Sequence, residues 1–426
     1  QMWFAGAEWC FCLLFVLFAV STGDETVSVV SPDKYTLAKE TRYLLYDVNY
    51  GEGFNLRRDV FMRIADAVRQ MREMGENIHL VLPPWGGLYH WRDEAVRVPW
   101  KTYFNLEALR ALVPVIEFED WLRETSSASI DRVVYLQHFA EGWGNEYVMK
   151  SERRPCIEGG RYYKKDGEKW KGWFFSFPNI SANDFDCVSF QGDSGAFAKL
   201  IVANFSTERS LLVERAETVL HEYYGERAFW QARRAMRYAT RLLEEAASFR
   251  KLHLDSDDER DGTTLPLRWQ DEQARRTARG GPFIGAHWRR RDFLQAYGAL
   301  LPSIQGTAQQ LSSLAKAYAV SLVFVATDAD EAETDELRLL LESEKLKLVL
   351  YSGQGAEKLG DGEKAIVEQI ICAHARYFIG SHVSTFSFRI QEDREIRGLP
   401  IASTFNRFCP DDNLTCEQPA KWTIKY

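Results

Sequence analysis

Tyr43-Leu44-Leu45-Tyr46-Asp47-Val48 is an apolar run that breaks, within a few residues, into Gly51-Glu52-Gly53-Phe54-Asn55. Apolar positions then recur at helical spacing (Val60, Phe61, Ile64, Ala65, Val68, Met71), and a second run, His79–Leu82, ends at Pro83-Pro84. Strand, turn, helix and strand in this order make a βαβ unit. The turn carries a lone carboxylate between glycines that let a ligand approach the backbone closely. The helix reads as opening at Leu56, aiming free N–H groups and a partial positive charge at whatever binds. Glu52 is therefore the first candidate for chemistry. The competing reading is an ordinary βα turn whose glutamate is merely solvated.

The alternation continues outward. Arg132–Leu136 is a further strand running into the Gln137-His138-Phe139 loop, residues 153–186 read as an aromatic and glycine-rich excursion, and residues 216–250 read as one long helical stretch. Between 251 and 281 the composition turns acidic and then basic around Gly262 and Gly280-Gly281, as in a linker. Strand patterns restart at Phe283–Ala286, Leu322–Ala326, Leu348–Tyr351 and Tyr377–Gly380, the last after a helix over 363–376. The expectation is an α/β chain of two Rossmann-like domains, residues 24–250 and 282–426, joined by the linker.

The 426 residues suffice for two cores, and 46% hydrophobic with 27% charged residues is a globular composition. With 26 Phe, 18 Tyr and 13 Trp, aromatic rings remain for a binding groove. Pro83-Pro84-Trp85-Gly86-Gly87 with Tyr89-His90-Trp91 could line an acceptor groove or simply pack, and His138 and Trp143 share that ambiguity. A formal charge of −8 argues against nucleic acid as a partner. Residues 1–23 read as a secretory signal, with a membrane anchor as the alternative and no second span after it. If Cys10 and Cys12 leave with the signal, five cysteines remain, so at least one stays free. Cys409 and Cys416 close a short polar loop suited to a local disulfide, Cys372 lies in an apolar helix pattern, and Cys156 with Cys187 is the second bridge by elimination. Glycosylation acceptors at Asn179, Asn204 and Asn413 point to the same oxidising compartment. No cysteine spacing suits zinc and the eight histidines are dispersed, so no metal is expected.

In open α/β sheets ligands bind beyond the carboxyl ends of strands. In the second half those loops hold His287, Arg289 and Arg290 after one strand, and Ser384, Thr385 and Phe386 after another. Guanidinium forks, hydroxyls, helix-start N–H groups and an aromatic face together describe a pyrophosphate and base pocket; the alternative is an exposed basic turn beside a Ser/Thr helix cap. Asp328-Ala329-Asp330 has the form of the carboxylate pair that many metal-dependent sugar transferases use. It sits in a run of further acids (Glu331, Glu333, Asp335, Glu336), however, and reads as a solvated helix start.

These residues resemble the protein O-fucosyltransferases, within which the match is to the branch acting on thrombospondin type 1 repeats. The likeness rests on Asp47-Val48-Asn49 with Glu52–Asp59, on Leu82-Pro83-Pro84-Trp85-Gly86, and on Gly285 with His287 and Arg289-Arg290. It extends through Val323–Asp328, Ile371–Arg376 with Ser384–Phe388, and the tail around Cys409 and Cys416. The resemblance implies a GT-B-like arrangement, two Rossmann-like domains facing across a cleft, and inverting transfer of fucose from GDP-fucose to Ser/Thr hydroxyls of folded repeats. By it Glu52 is the general base, while Gly51, Gly53, Phe54, Asn55, His287, Trp288, Arg289, Glu368, Ser384, Thr385 and Phe386 hold the donor. GDP-fucose is then a co-substrate and no metal is required. The expected setting is a monomer in the lumen of the endoplasmic reticulum, with the Golgi as the alternative. Retention would use some route other than a Lys-Asp-Glu-Leu ending, since the chain reads Ile424-Lys425-Tyr426. Departures from the family pattern are Glu368 where aspartate is usual, Gly51 where proline is usual, and Trp288 where leucine is usual. Alternatives are transfer to epidermal growth factor-like repeats, or a non-catalytic lumenal binder of sugar nucleotide. A nicotinamide dehydrogenase is disfavoured because the first βα turn lacks the three-glycine fingerprint.

Overall fold

Arg42–Tyr46 (β1) is buried along its whole length and alternates its side chains between two cores. Leu44 and Tyr46 pack with the helix that follows, whereas Tyr43 and Leu45 pack on the opposite face with Phe118, Trp121 and Phe174. The computed structural model describes residues 40–88, 91, 96–142, 146–157, 163–352 and 354–426. The signal segment 1–23 with Cys10 and Cys12, together with Tyr89, His90 and Trp143, lies outside them.

The strand is joined by Ile78–Leu82 (β2), Val115–Glu117 (β3), Ser129–Gln137 (β4), Lys150–Arg153 (β5), Lys164–Asp166 (β6), Lys169–Lys171 (β7), Ser181–Asp193 (β8), Ser210–Glu214 (β9) and Val219–Leu220 (β10). The order is β3-β2-β1-β9-β4-β8-β7-β6, with β5 and β10 also on β8. Strands β1, β2, β3, β4, β8 and β9 pair in parallel, and the hairpin β6–β7 and β5 run antiparallel at the far edge. A second, fully parallel sheet has the order β13-β12-β11-β14, from Gly281–Trp288 (β11), Leu322–Thr327 (β12), Lys347–Val349 (β13) and Ala375–Ile379 (β14). In each sheet the chain steps outward from a central strand and later returns to its other side. The order therefore reverses next to β1 in one sheet and next to β11 in the other, and such switch points open a crevice at the strand ends.

The helix after β1 runs Phe54–Glu73, opening two residues before the position read from the sequence. The stretch 216–250 is not one helix. It contains β10, a left-handed turn at Gly225 (φ 79°), and the helices Arg227–Ala235 and Thr240–His253. Between those helices the backbone pairs with residues 103–105 through Asn105 N–H to Arg237 and Ala239 N–H to Tyr103. The helix Thr240–His253 packs toward the second sheet, where Phe249 meets Phe324 and Tyr351 and Glu245 accepts from the Tyr351 hydroxyl at 2.8 Å.

Buried polar groups bind the ends of the chain together. Arg58, fully buried, donates to Gln369 Oε1 (2.6 Å) and to the Tyr238 hydroxyl (2.9 Å), which itself donates to Asp393 (2.7 Å). Arg233 pairs with Glu392 and Asp393, each at 2.6 Å. Disulfides join Cys156 to Cys187 and Cys409 to Cys416, while Cys372 is free and buried in the helix Asp361–Ala373. Among the described residues no helix is long and apolar enough to cross a membrane. Replacing Arg233 with alanine should lower unfolding free energy by about 3–5 kcal/mol, because two carboxylates stay behind in the core. In urea titrations of the two variants, Arg260→Ala, which removes only exposed pairs with Asp255 and Asp257, should leave the unfolding midpoint near that of the parent while Arg233→Ala lowers it clearly.

Candidate active site

At the first switch point Gly51 adopts φ of 90°, a conformation open to glycine and closed to proline, so this chain's departure from the usual residue is used by its backbone. The Glu52 N–H donates to Asn49 O (3.2 Å), and Arg57 Nε donates to Glu52 O (3.1 Å), fixing the turn from both sides. Gly53 caps the helix without any side-chain bond; its carbonyl accepts the Leu56 and Arg57 N–H groups (each 3.1 Å), which leaves those of Phe54 and Asn55 available to a ligand. Glu52 is half-buried. Burial first, and the Glu217 charge second, raise its carboxyl above the ordinary glutamate range against the pull of Arg57 and Arg215. This is the direction a proton acceptor needs.

Beside this turn, at the ends of β1, β4 and β9, lies a cavity of about 350 Å³. Tyr50, Trp173 and Phe175 give it apolar walls, and Asp47, Glu214 and Arg215 contribute charge. Burial pushes the Asp47 and Glu214 carboxyls up, Glu214 to about 8 with Asp47 repulsion adding to it, and the Tyr163 hydroxyl donates to Glu214.

At the second switch point the register pairs Trp288 with Thr327, which brings the next residues, Arg289 and Asp328, side by side. Arg289 Nη1 lies 2.9 Å from Asp328 and Nη2 donates to Asp292 at 2.6 Å, while the Arg290 N–H donates to the other Asp328 oxygen (2.7 Å). Asp330 instead caps the helix Glu331–Ser343 by accepting the Glu333 N–H. The helix-start reading of the acidic pair thus holds for Asp330, whereas Asp328 is the acid that aims the arginine. Among the described residues no three His, Cys, Asp or Glu side chains gather as a metal cluster.

The imidazole of His287 is stacked on Phe386 (centroids 4.3 Å apart, 22° between planes), and its Nδ1 meets Ser387 Oγ at 2.8 Å. Burial, then the neighbouring Arg289 charge, hold it down at about 3, so it is a neutral hydrogen-bonding ring. Ser381 stitches the two loops, donating to His287 O (2.8 Å) and accepting the Arg289 N–H (2.9 Å). Ser384 stands at the N-cap of the helix Thr385–Arg397 without a side-chain cap bond, and Thr385 is exposed. Trp288 points away from these groups into the core between β11 and its covering helices, as strand alternation requires, with Arg290 over its ring.

The first turn of the Phe54–Glu73 helix also reaches the helix Asp361–Ala373 side chain to side chain. Asn55 Oδ1 accepts from Gln369 Nε2 (2.8 Å) and from Arg58 (3.2 Å), so the start of the first helix lies against the helix carrying Glu368. Burial chiefly, and Asp328 repulsion further, push Glu368 up to about 8. Sequence reasoning missed Arg57, Glu217, Asp328 as a partner of arginine, Ser387 and Gln369. Only Asp328 had a readable signal, an acid ending the strand next to one that ends in arginines. The acceptor asparagines Asn179, Asn204 and Asn413 are all exposed.

Comparison with known proteins agrees with this construction. The family model for GDP-fucose protein O-fucosyltransferase matches residues 43–397. The chain belongs to that family and is a fucosyltransferase. Relatives named GDP-fucose protein O-fucosyltransferase 2 include one from Caenorhabditis elegans, 54% identical over 422 residues (97% of this chain, 98% of the relative), and one from Homo sapiens, 42% identical over 396 residues (91% of each). The fold is similar to that of crystalline POFUT1 in complex with GDP-fucose, with a TM-score of 0.57 at 15% identity over 86% of this chain and 97% of that one. The architecture is GT-B-like, with Rossmann-like sheets facing across a cleft.

The cavity acids yield a pH test. Glu214 binds its proton more tightly folded than unfolded, so its contribution to stability is complete below the ordinary glutamate range and is lost as pH rises through about 8. Glu214→Gln, which keeps an acceptor for Tyr163, should therefore raise Tm relative to the parent at pH 8.5 and differ little at pH 5, as read by differential scanning fluorimetry.

Proposed function

We propose that the chain transfers fucose from GDP-fucose to Ser or Thr hydroxyls of folded thrombospondin type 1 repeats with inversion, Glu52 acting as general base. The observation that carries this reading is the pair of switch-point turns, one with a half-buried, raised carboxyl and the other with an arginine aimed by two acids. The acceptor oxygen attacks the anomeric carbon from the face opposite GDP, the acceptor proton passes to Glu52, and the bond to the β-phosphate oxygen breaks. Arg289 and the uncapped N–H groups of the helix Thr385–Arg397 meet the growing negative charge on GDP, with metal not required. Neutral His287 and Phe386 wall the nucleotide, Gly53 and Asn55 lie against the sugar side, and Glu368 takes the two guanine N–H donors. The acceptor class rests on the motif resemblance, while the names of the relatives give a GDP-fucose donor and a protein acceptor. Two disulfides and three exposed acceptor asparagines among the described residues support work in the lumen of the endoplasmic reticulum.

The test offers a folded thrombospondin repeat and a folded epidermal growth factor-like repeat with labelled GDP-fucose and chelator. Label should enter the thrombospondin repeat alone; label in the other repeat, or donor binding without transfer, would overturn the reading. Glu52→Ala should reduce turnover by about 10²–10⁴-fold with GDP affinity within about twofold of the parent. Arg289→Ala should in addition weaken GDP by roughly 10–100-fold in calorimetry. Because Glu368 must ionise to accept guanine, GDP affinity should rise with pH toward about 8 in the parent, and this dependence should vanish in Glu368→Gln.

A further inference from the structure

The turn after β9 brings a second carboxylate against the Glu52 loop. Glu217 Oε2 accepts the Asn49 N–H at 3.1 Å, and Asn49 O in turn accepts the Glu52 N–H, so one side chain anchors the turn that presents the base. The other oxygen, Oε1, meets Arg215 Nε at 3.3 Å. The backbone of this segment is held independently. Arg63, paired with Asp59 on the first helix, donates to Glu217 O (3.2 Å) and Val219 O (2.9 Å), and the Ala216 N–H donates to Asp47 O. Substituting the side chain thus leaves the segment's main-chain anchors in place. A carboxylate set between a backbone N–H and one arginine, beside another carboxylate, is more than an ion pair needs.

We propose that Glu217 is a positioning residue for proton transfer at Glu52, holding the Asn49–Glu52 turn through the Asn49 N–H and standing as a fixed negative charge beside the base. This rests on the reading of Glu52 as that base. The charged groups facing Glu52 are Glu217 and Arg215 from the turn after β9 and Arg57 from the first helix, with Asp47 and Glu214 in the cavity wall alongside. Two of the groups bearing directly on Glu52 are cations that favour its ionised, weakly basic form. Glu217 opposes them, and without it the carboxylate would attract the acceptor proton less strongly.

The experiment measures kcat/KM for a folded thrombospondin repeat against pH at saturating GDP-fucose, where donor binding and with it the Glu368 titration no longer limit the rate, with the intact enzyme and Glu52→Gln, Glu217→Gln, Glu217→Asp and Glu217→Ala. Glu217→Gln keeps an oxygen for the Asn49 N–H and loses the charge. Its acid limb should move to lower pH by about half a unit to one unit, and its plateau should fall by roughly threefold to tenfold. Glu217→Asp keeps the charge and should retain the parent's acid limb, while Glu217→Ala loses both functions and should fall by about a further tenfold with GDP affinity unchanged. An acid limb in Glu217→Gln that coincides with the parent's, with Glu52→Gln inactive, would overturn the role of Glu217 alone. Normal transfer by Glu52→Gln would instead remove the base itself. Were Glu217→Gln to fail to fold, a displaced acid limb in Glu217→Asp would count against the proposal.

Discussion

Arg58 and Arg233 sit where water does not reach, and a buried guanidinium is tolerable only where nearly all its donors find partners. Those partners lie far along the chain: Gln369, Glu392 and Asp393, with Tyr238 between them. The first helix and the last two must close together, since either arrangement alone strands charge in a low-dielectric core. The turns that carry Glu52 and Ser384–Phe386 are the N-terminal entries to helices locked this way. Asn55 extends the same network to the mouth of the site, where one amide joins Arg58 to Gln369 beside Glu368.

The two sheets use one topology for opposite electrostatic ends. Beside β1 the reversal of strand order exposes a carboxyl, and desolvation with a neighbouring acid keeps it protonatable. Beside β11 it exposes a guanidinium, and flanking acids restrict its orientation without covering it, since part of Arg289 remains solvent-accessible. Near neutral pH an arginine cannot lose its charge, so acids beside it serve to aim it; a glutamate can change charge, so its neighbours tune it.

How far the sequence could be read depended on how local each cause was. The strands before Glu52, Arg289, Asp328 and Ser381 were legible from short apolar runs, and with them the loops that hold the site. Strand β8 was not, because Asn183, Asp184 and Asp186 interrupt its pattern while their solvent-facing or ion-paired side chains suit an edge beside the antiparallel hairpin. The break of residues 216–250 depends on backbone pairing with residues 103–105, which no local propensity announces. Trp288, which the resemblance put among the donor residues, shows how strand alternation escapes a motif: the pleat sends its ring into the core on the opposite face from His287. Partners such as Gln369 for Asn55 are separated by hundreds of residues and become visible only in three dimensions.

Cys372 lies on the same helix as Glu368 and Gln369, and burial holds its thiol well above its usual range. Such a sulfur is neither ionised nor reachable, so it stays out of exchange with the disulfides Cys156–Cys187 and Cys409–Cys416 while the helix is seated. Its reactivity toward a thiol reagent thereby becomes a clock for the opening of the segment that carries Glu368 and grips the first helix through Gln369.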